Sequence, residues 1–325
     1  MGIAGPALTG AEAALLAAHP PAGVILFGRN VQTPEQLRAL TASLRAVLPV
    51  NAVIAVDQEG GRVARLRPPH WPAHPAAGAL GALVPARGRR AAYLTGALIG
   101  ALCAAEGFDL VCAPVLDLRV AGASDVIGDR SFGTDPAAVA ALAMAMADGL
   151  LAAGVLPVGK HAPGHGQALV DSHLALPTVP AAADLGPDIA VFAACRGLPW
   201  MMTAHLLYEG LDATLPGTLS PLVIERVIRG RIGFEGVLVS DDLAMRALAG
   251  AGAGPLAAAA VAAGCDVALH CTGALAESEA VLRAVPPLAG RARARWAAAR
   301  ELARVRRTTL DPAAMTAERD RLLAC

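Results

Sequence analysis

The only lysine among 27 basic residues, Lys160, stands in the densest run of ionisable side chains, Lys160-His-Ala-Pro-Gly-His-Gly-Gln-Ala-Leu-Val-Asp171-Ser-His173. Arginine fills the other 26 basic positions, and it cannot replace a compact ammonium in a tight site. Three of the eight histidines, His161, His165 and His173, fall in this same run. Asp171 lies two residues before His173. A carboxylate bonded to one ring nitrogen fixes the tautomer and raises the basicity of the other, which suits a general acid/base near neutral pH. A second cluster, Ser240-Asp241-Asp242, holds adjacent carboxylates. Extended backbone sends them in opposite directions, so one can face a pocket while the other packs or caps the next helix. A third, Asp57-Gln-Glu-Gly-Gly-Arg62-Val-Ala-Arg65, offers the bidentate hydrogen bonds that grip vicinal hydroxyls or a carboxylated ligand. The segment Ile127-Gly-Asp-Arg130-Ser-Phe-Gly133 adds another arginine.

These residues share an address. Short apolar runs at residues 23–27, 53–56, 110–116, 156–158, 201–204, 237–240 and 267–269 are each followed by a helical stretch. Six of these runs stop at Asp57, Asp117, Lys160-His161, His205, Asp241-Asp242 and His270. The helix over residues 34–48 carries Thr33 as N-cap and proline at its first position. Continuous apolar strands alternating with helices indicate parallel βα units covered on both faces. With a short strand at residues 2–4 the count reaches eight. The expectation is a single-domain TIM-type (β/α)8 barrel over residues 1–325, whose active site lies at the C-terminal strand ends. An open doubly wound sheet would gather its ligands at one switch point instead. Residues 291–307 carry seven arginines against Glu301, which predicts an exposed amphipathic helix within a helical tail from about residue 290 to 325.

Composition removes several classes. Of 325 residues, 55% are apolar, and a mean hydropathy of +0.51 excludes a disordered chain. The longest uncharged stretch, residues 247–265, is mostly alanine and glycine around Pro255, so it is no membrane span. The start MGIAGPALTG has neither the charged nor the apolar region of a signal peptide, and the expectation is a cytoplasmic protein. Zero net charge removes the electrostatic case for nucleic acid or an anionic membrane. Six cysteines without a CxxC pair read as buried small hydrophobes or reduced thiols. Aromatic content of 3% does not suit a stacking platform for a long polysaccharide.

The residues alone leave a metal-dependent amidohydrolase-like barrel open, with ligands drawn from Lys160, His161, His165, His173, His205 and Asp241. Such barrels need a His-x-His pair at an early strand end, and this sequence has none. A non-enzymatic sugar-binding protein would need no Asp-His dyad opposite a free carboxylate.

Taken in order, Asp57-Gln-Glu-Gly-Gly-Arg62, Gly128-Asp-Arg-Ser131, Lys160-His161 with Pro163-Gly-His-Gly166, Asp171-Ser-His173 and Ser240-Asp-Asp-Leu243 form a specific combination. It resembles the bacterial β-N-acetylhexosaminidases of glycoside hydrolase family 3, the peptidoglycan-recycling type, across about residues 23–266. The resemblance implies a one-domain barrel and a retaining double displacement. Asp241 matches the family's nucleophile, and His173 its acid/base with Asp171 as partner. Asp57, Arg65, Arg130, Lys160 and His161 match positions that bind N-acetylglucosamine. An imidazole titrates near 6.5 unaided, so it can give and then take a proton without the tuning a carboxyl needs. The substrate implied is a small muropeptide-type saccharide, turned over by a monomer without metal or other cofactor. A histidine acid/base also leaves room for phosphorolysis, because phosphate can approach where an anionic glutamate would repel it. Ala162 stands where phenylalanine is common, Asp129 where glutamate is usual, and Thr203 where proline is frequent. These departures bear on loop packing and substrate preference, not on the reaction class.

Overall fold

The computed structural model describes residues 1–123, 125–168, 176–245, 248 and 252–324. Seven parallel strands form the central sheet in the order β1 (Gly23–Leu26), β2 (Val53–Val56), β5 (Leu110–Val111), β6 (Leu156–Ala162), β8 (Trp200–Thr203), β10 (Val237–Asp242) and β11 (Val267–Leu269). Two small two-stranded sheets lie outside it: an antiparallel pair of β3 (Gln58–Gly60) with β4 (Val63–Ala64), and a parallel pair of β7 (Thr178–Val179) with β9 (Leu207–Tyr208). The strand expected at residues 2–4 is a single bridge, Gly2 to Ile25. Ile25 donates to the Met1 carbonyl at 2.9 Å, and Gly2 donates to the His270 carbonyl, just beyond β11, at 2.8 Å. The chain's first residues therefore hydrogen-bond to both edges of the sheet.

Side-chain alternation along the strands builds two cores. Val24, Leu26, Ile54, Val56 and Leu238 join the large outer cluster beneath the helices. Ile25, Ala55, Cys112, Val158, Met202 and Val239 belong to a second cluster on the other face. A strand buried on both faces must be apolar throughout, which is why these runs show no polar alternation. The inner rows run on into polar residues. Val53 and Ala55 continue to Asp57, Leu156 and Val158 to Lys160, and Val237 and Val239 to Asp241.

Helices follow the strands with conventional start signals. In α1 (Gly10–Ala18), Thr9 and Glu12 form a capping box. In α2 (Pro34–Val47), Thr33 Oγ1 accepts from Gln36 N at 3.2 Å, and Leu37, Leu40, Thr41 and Leu44 face the core. Two long helices, α4 (Pro85–Ala105) and α5 (Pro136–Ala152), pack with glycine at the crossing. A Cβ on Gly96 would sit 2.0 Å from the Met146 carbonyl oxygen, and one on Gly149 would sit 2.1 Å from that of Tyr93. Residues Val223–Arg231 form a π-helical stretch between β8 and β10. The remaining helices are α3 (Ala77–Gly81), α6 (Gly186–Ala194), α7 (Ala253–Ala263), α8 (Leu275–Ala284), α9 (Gly290–Arg306) and α10 (Pro312–Ala324).

The arginine-rich segment is helix α9, and several of its cations have structural partners. It lies against the N-terminal strand ends. Trp296 meets Trp200 edge-on at 4.9 Å and donates to the Asn51 carbonyl at 3.1 Å. Arg295 binds Asp266 at 3.0 Å, Arg300 binds Asp109 at 3.2 Å, and both carboxylates also accept strand N–H groups, of Leu238 and Ile54. A cavity of about 1490 Å³ opens at this end, lined by Ile25, Ala55, Cys112 and the first residues of most strands, and it contains none of the candidate site residues. Among the described residues, no helix is long and apolar enough to cross a membrane. Cys103, Cys112, Cys195, Cys265 and Cys271 are buried free thiols; Cys325 lies outside the described residues.

Candidate active site

At the opposite, C-terminal end of the strands, Lys160 is buried to 3% exposure and bridges two carboxylates. Its ammonium lies 3.1 Å from Asp57 Oδ1 and 2.7 Å from Glu59 Oε1. Arg65 donates to the other oxygen of Asp57 at 2.9 Å. Arg130 holds Glu59 in a two-pronged pair at 2.8 and 2.9 Å. Burial alone would raise the pKa of both carboxyls, but Lys160 with Arg65 holds Asp57 below its usual range. Lys160 with Arg130 brings Glu59 down to about 2. The cluster is three cations against two anions, all charged at neutral pH. Deep burial of such a set is costly unless each charge is paired, and here each is.

The turn that delivers these groups is built from the Asp57-to-Arg65 motif. Gln58 Oε1 accepts from the N–H groups of Arg65 and Leu66, and its amide donates to the Leu66 carbonyl, closing the β3–β4 hairpin. Gly60, at φ +96°, takes a conformation that side chains rarely adopt, and a Cβ there would strike the Pro75 carbonyl at 2.3 Å. Arg62, by contrast, is used in scaffolding. It binds Asp129 at 2.8 Å and the carbonyls of residues 125 to 127, bracing the loop that carries Arg130.

His161, 6% exposed, follows Lys160 within β6. Its Nδ1 lies 2.7 Å from Asp117 Oδ2, and the ring stands edge-on to His165 at 5.6 Å. Burial pulls His165 down to about 4. Across the sheet end, the two adjacent carboxylates divide their work. Asp242 Oδ1 accepts from Ala244 N and Cys271 N, tying β10 to the segment beyond β11. Asp241 Oδ1 accepts from Asp242 N at 2.8 Å, while Oδ2 has no hydrogen-bond partner among the described residues. Burial opposes ionisation of Asp241, but the polar His205 and His161 rings, the Asp242 N–H and the Lys160 ammonium together hold its pKa below the usual value. His205 is itself fully buried and kept towards its neutral form by desolvation. Its Nε2 donates to the Asp242 carbonyl at 2.9 Å, and Nδ1 lies 2.8 Å from the Thr218 hydroxyl.

The structure thus brings Asp57, Arg65, Arg130, Lys160, His161 and Asp241 to one end of the sheet. Asp171 and His173 lie outside the described residues. Two further residues join the site. Glu59, within the Asp57 motif, pairs with both Lys160 and Arg130. Asp117 was recognised only as the residue ending an apolar run, yet it is fully buried and binds His161. Among the described residues, no group of three His, Cys, Asp or Glu side chains is arranged to hold a metal ion.

A buried charge cluster and an ionised, partly buried aspartate at the C-terminal ends of parallel strands form an arrangement suited to glycoside chemistry. Residues 5–305 match the family described as glycosyl hydrolase family 3 N terminal domain. The chain is 46% identical over 294 residues to a β-hexosaminidase of Alkalilimnicola ehrlichii, covering 88% of this chain and 83% of that one. It is 40% identical over 321 residues to one from Aromatoleum aromaticum, covering 96% and 88%. NagZ from Neisseria gonorrhoeae, solved in complex with N-trifluoroacetyl-D-glucosamine, superposes with a TM-score of 0.83 at 35% identity, over 99% of this chain and 96% of that one. A family 3 β-N-acetylglucosaminidase from Paenibacillus sp. str. FPU-7 gives 0.85 at 34% identity, over 99% and 66%. The chain belongs to glycosyl hydrolase family 3 and is a glycosidase. The metal-dependent amidohydrolase and non-catalytic sugar-binding readings are set aside by that membership.

Proposed function

We propose that this protein is a retaining β-N-acetylhexosaminidase that removes non-reducing terminal β-linked N-acetylglucosamine from small muropeptide-type saccharides during cell-wall recycling in the cytoplasm. The observation that carries the reading is Asp241. It is ionised, partly buried, held through one oxygen and unengaged at the other, on the inner row of β10 at the same strand ends as the Asp57–Lys160 cluster. A carboxylate in that state is a nucleophile at neutral pH, not an acid. Oδ2 attacks the anomeric carbon and forms a glycosyl-enzyme, while the acid/base protonates the departing oxygen and then activates water. His173, with Asp171 setting its tautomer, takes the acid/base role by family resemblance. Asp57, Arg65, Arg130, Lys160 and His161 bind the sugar. Asp57 and Glu59 can accept from hydroxyls while the paired cations donate, a set suited to one or two sugar rings without aromatic stacking.

The likeness to family 3 structures over nearly the whole length supports residues 1–325 forming one catalytic barrel, in which the hydrogen bonds of residues 1 and 2 to Ile25 and His270 would complete the ring between β1 and β11. A monomer without metal suffices for this chemistry. The test is turnover of a chromogenic β-N-acetylglucosaminide, with and without chelator and with added phosphate, by wild type, Asp241→Ala and His173→Ala. Release of the β-anomer of free N-acetylglucosamine, insensitivity to chelator and at least about 10³-fold loss in Asp241→Ala are expected. Full activity of Asp241→Ala or loss on chelation overturns the mechanism. A sugar 1-phosphate as the main product would make the protein a phosphorylase.

A further inference from the structure

We propose that Asp117 is a positioning residue that locks His161 as the Nδ1–H form and leaves Nε2 to accept a hydrogen bond from the substrate. That Nε2 meets a sugar hydroxyl rests on the functional reading above; the lock itself does not.

Asp117 has 0% exposure and every bond of its carboxylate is directed at one stretch of chain. Its two oxygens each lie 3.2 Å from His161 N. Oδ2 lies 2.7 Å from His161 Nδ1, and Oδ1 accepts from His165 N at 2.8 Å. Burial would push this carboxyl up, but His161 and the hydrogen bonds it receives hold it below its ordinary value. It is therefore ionised at neutral pH and has no proton to give. Nδ1 must carry the hydrogen between them, because two acceptors 2.7 Å apart would repel. The backbone N–H groups pin both oxygens, so the carboxylate cannot rotate away to relax the constraint.

The other ring nitrogen is differently placed. His161 Nε2 has no hydrogen-bond partner among the described residues, and in the neutral ring it is an acceptor. The charge cluster at the same strand ends already presents donors: Lys160 and Arg65 on Asp57, and Arg130 on Glu59. An acceptor-only nitrogen at that end of the sheet selects a ligand group that donates, such as a hydroxyl, and disfavours an ether or ester oxygen there. Asp117 also touches the opposite wall, since its carbonyl accepts from Ser131 Oγ at 2.7 Å, next to Arg130. One buried residue thereby fixes both the orientation of His161 and the root of the Arg130 loop.

The test is long-range nitrogen–proton correlation spectroscopy of uniformly ¹⁵N-histidine-labelled full-length protein at pH 8, with His161→Gln assigning the signal. Wild type is expected to show His161 protonated at Nδ1. Asp117→Asn keeps the shape but can turn its NH₂ towards Nδ1, and the expected result is a switch to the Nε2–H tautomer with little change in Tm. Loss of the acceptor should raise KM for the chromogenic β-N-acetylglucosaminide by about 10- to 100-fold, with a smaller effect on kcat. Combining Asp117→Asn with His161→Ala should cost no more than His161→Ala alone. An Nε2–H tautomer in wild type overturns the proposal even if Asp117→Asn fails to fold. An unchanged tautomer in Asp117→Asn, or fully additive losses in the double variant, overturns it as well. Absence of glycosidase turnover in wild type would instead remove the functional reading and leave the tautomer result standing.

Discussion

Lys160 compensates two buried carboxylates at once, so its removal should be felt twice. Lys160→Met leaves Asp57 and Glu59 with one arginine each in a desolvated pocket. Breaking a buried charge network in this way costs about 3–5 kcal/mol. The expected outcome is a loss of that order in urea-monitored stability at pH 7, with saccharide turnover near background. Lys160→Arg should recover less than half of the stability, because a planar guanidinium cannot sit between two carboxylates 3.1 and 2.7 Å from one nitrogen. Stability unchanged in Lys160→Met would show that the cluster is not the tightly coupled unit its geometry indicates. At this scale the sequence was informative where a residue type was rare or grouped. The lone lysine and the paired Asp241-Asp242 announced themselves, and the division of labour within that pair followed from strand alternation. Glu59 and Asp117 did not. A single acidic residue has no signature until a partner distant in sequence is placed beside it, and their partners lie 71 and 44 residues away.

The strands were legible as elements but not at their ends. The apolar run at residues 110–116 reads as one strand, yet only Leu110–Val111 pair in the ladder. Pro114 has no N–H to donate and regular pairing ends at Val111, yet the run stays against its neighbours: Cys112 N donates to the Val56 carbonyl, and the Ala113 and Pro114 carbonyls accept from Val158 N and Lys160 N. The opposite error occurs where function begins. Strands β6 and β10 run on to Ala162 and Asp242, so Lys160, His161 and Asp241 are strand residues, not loop residues. Their polarity hid them from a reading based on apolar runs. Placement on strands makes them rigid, which a preorganised site requires. Among the helices, the crossing of α4 and α5 depends on glycine. Gly96→Ala and Gly149→Ala each drive a methyl into backbone that cannot yield cheaply. Each should destabilise the chain by at least about 1–3 kcal/mol, measured as a lower denaturation midpoint. A neutral or stabilising effect, as expected of glycine to alanine on an open helix face, would contradict the close approach.

For the whole molecule, neutral net charge conceals a set of buried groups that make stability depend on pH. His74 and His165 are brought down to about 4, chiefly by burial, and stay neutral in the folded chain. The unfolded chain binds protons at these sites below about pH 6.5, so they subtract stability as pH falls from there towards 4. Glu59, held to about 2, contributes stability present above its unfolded value and lost as pH falls below about 4. Asp188 acts in the other direction. Burial lifts it to about 6, and it sits against Gly164, bonded through Gln167 to the root of the segment that leads on to residue 168. The folded chain holds this proton more tightly than the unfolded one, so its contribution is present below about pH 4 and lost as pH rises through 6. Asp188→Asn should therefore raise stability by up to about 3 kcal/mol at pH 8 and by no more than about 1 kcal/mol at pH 4.5. Equal shifts at both pH values would contradict an uncharged-to-charged transition at that residue.

The aromatic poverty of the sequence acquires a physical reading at this scale: the proposed sugar site is lined by ion-paired polar groups, and Trp200 meets Trp296 of α9 at the opposite end of the sheet. In the proposed double displacement, Asp241 Oδ2 supplies the electron pair that attacks the anomeric carbon in the first chemical step. A 5-fluoro-N-acetylglucosaminyl fluoride slows breakdown of a glycosyl-enzyme and allows it to accumulate, and digestion with mass spectrometry locates the bond. The expected result is one sugar per chain, attached to the peptide carrying Asp241 and absent from Asp241→Ala. Label on any other carboxylate, or release of the inverted anomer with no adduct, would contradict it.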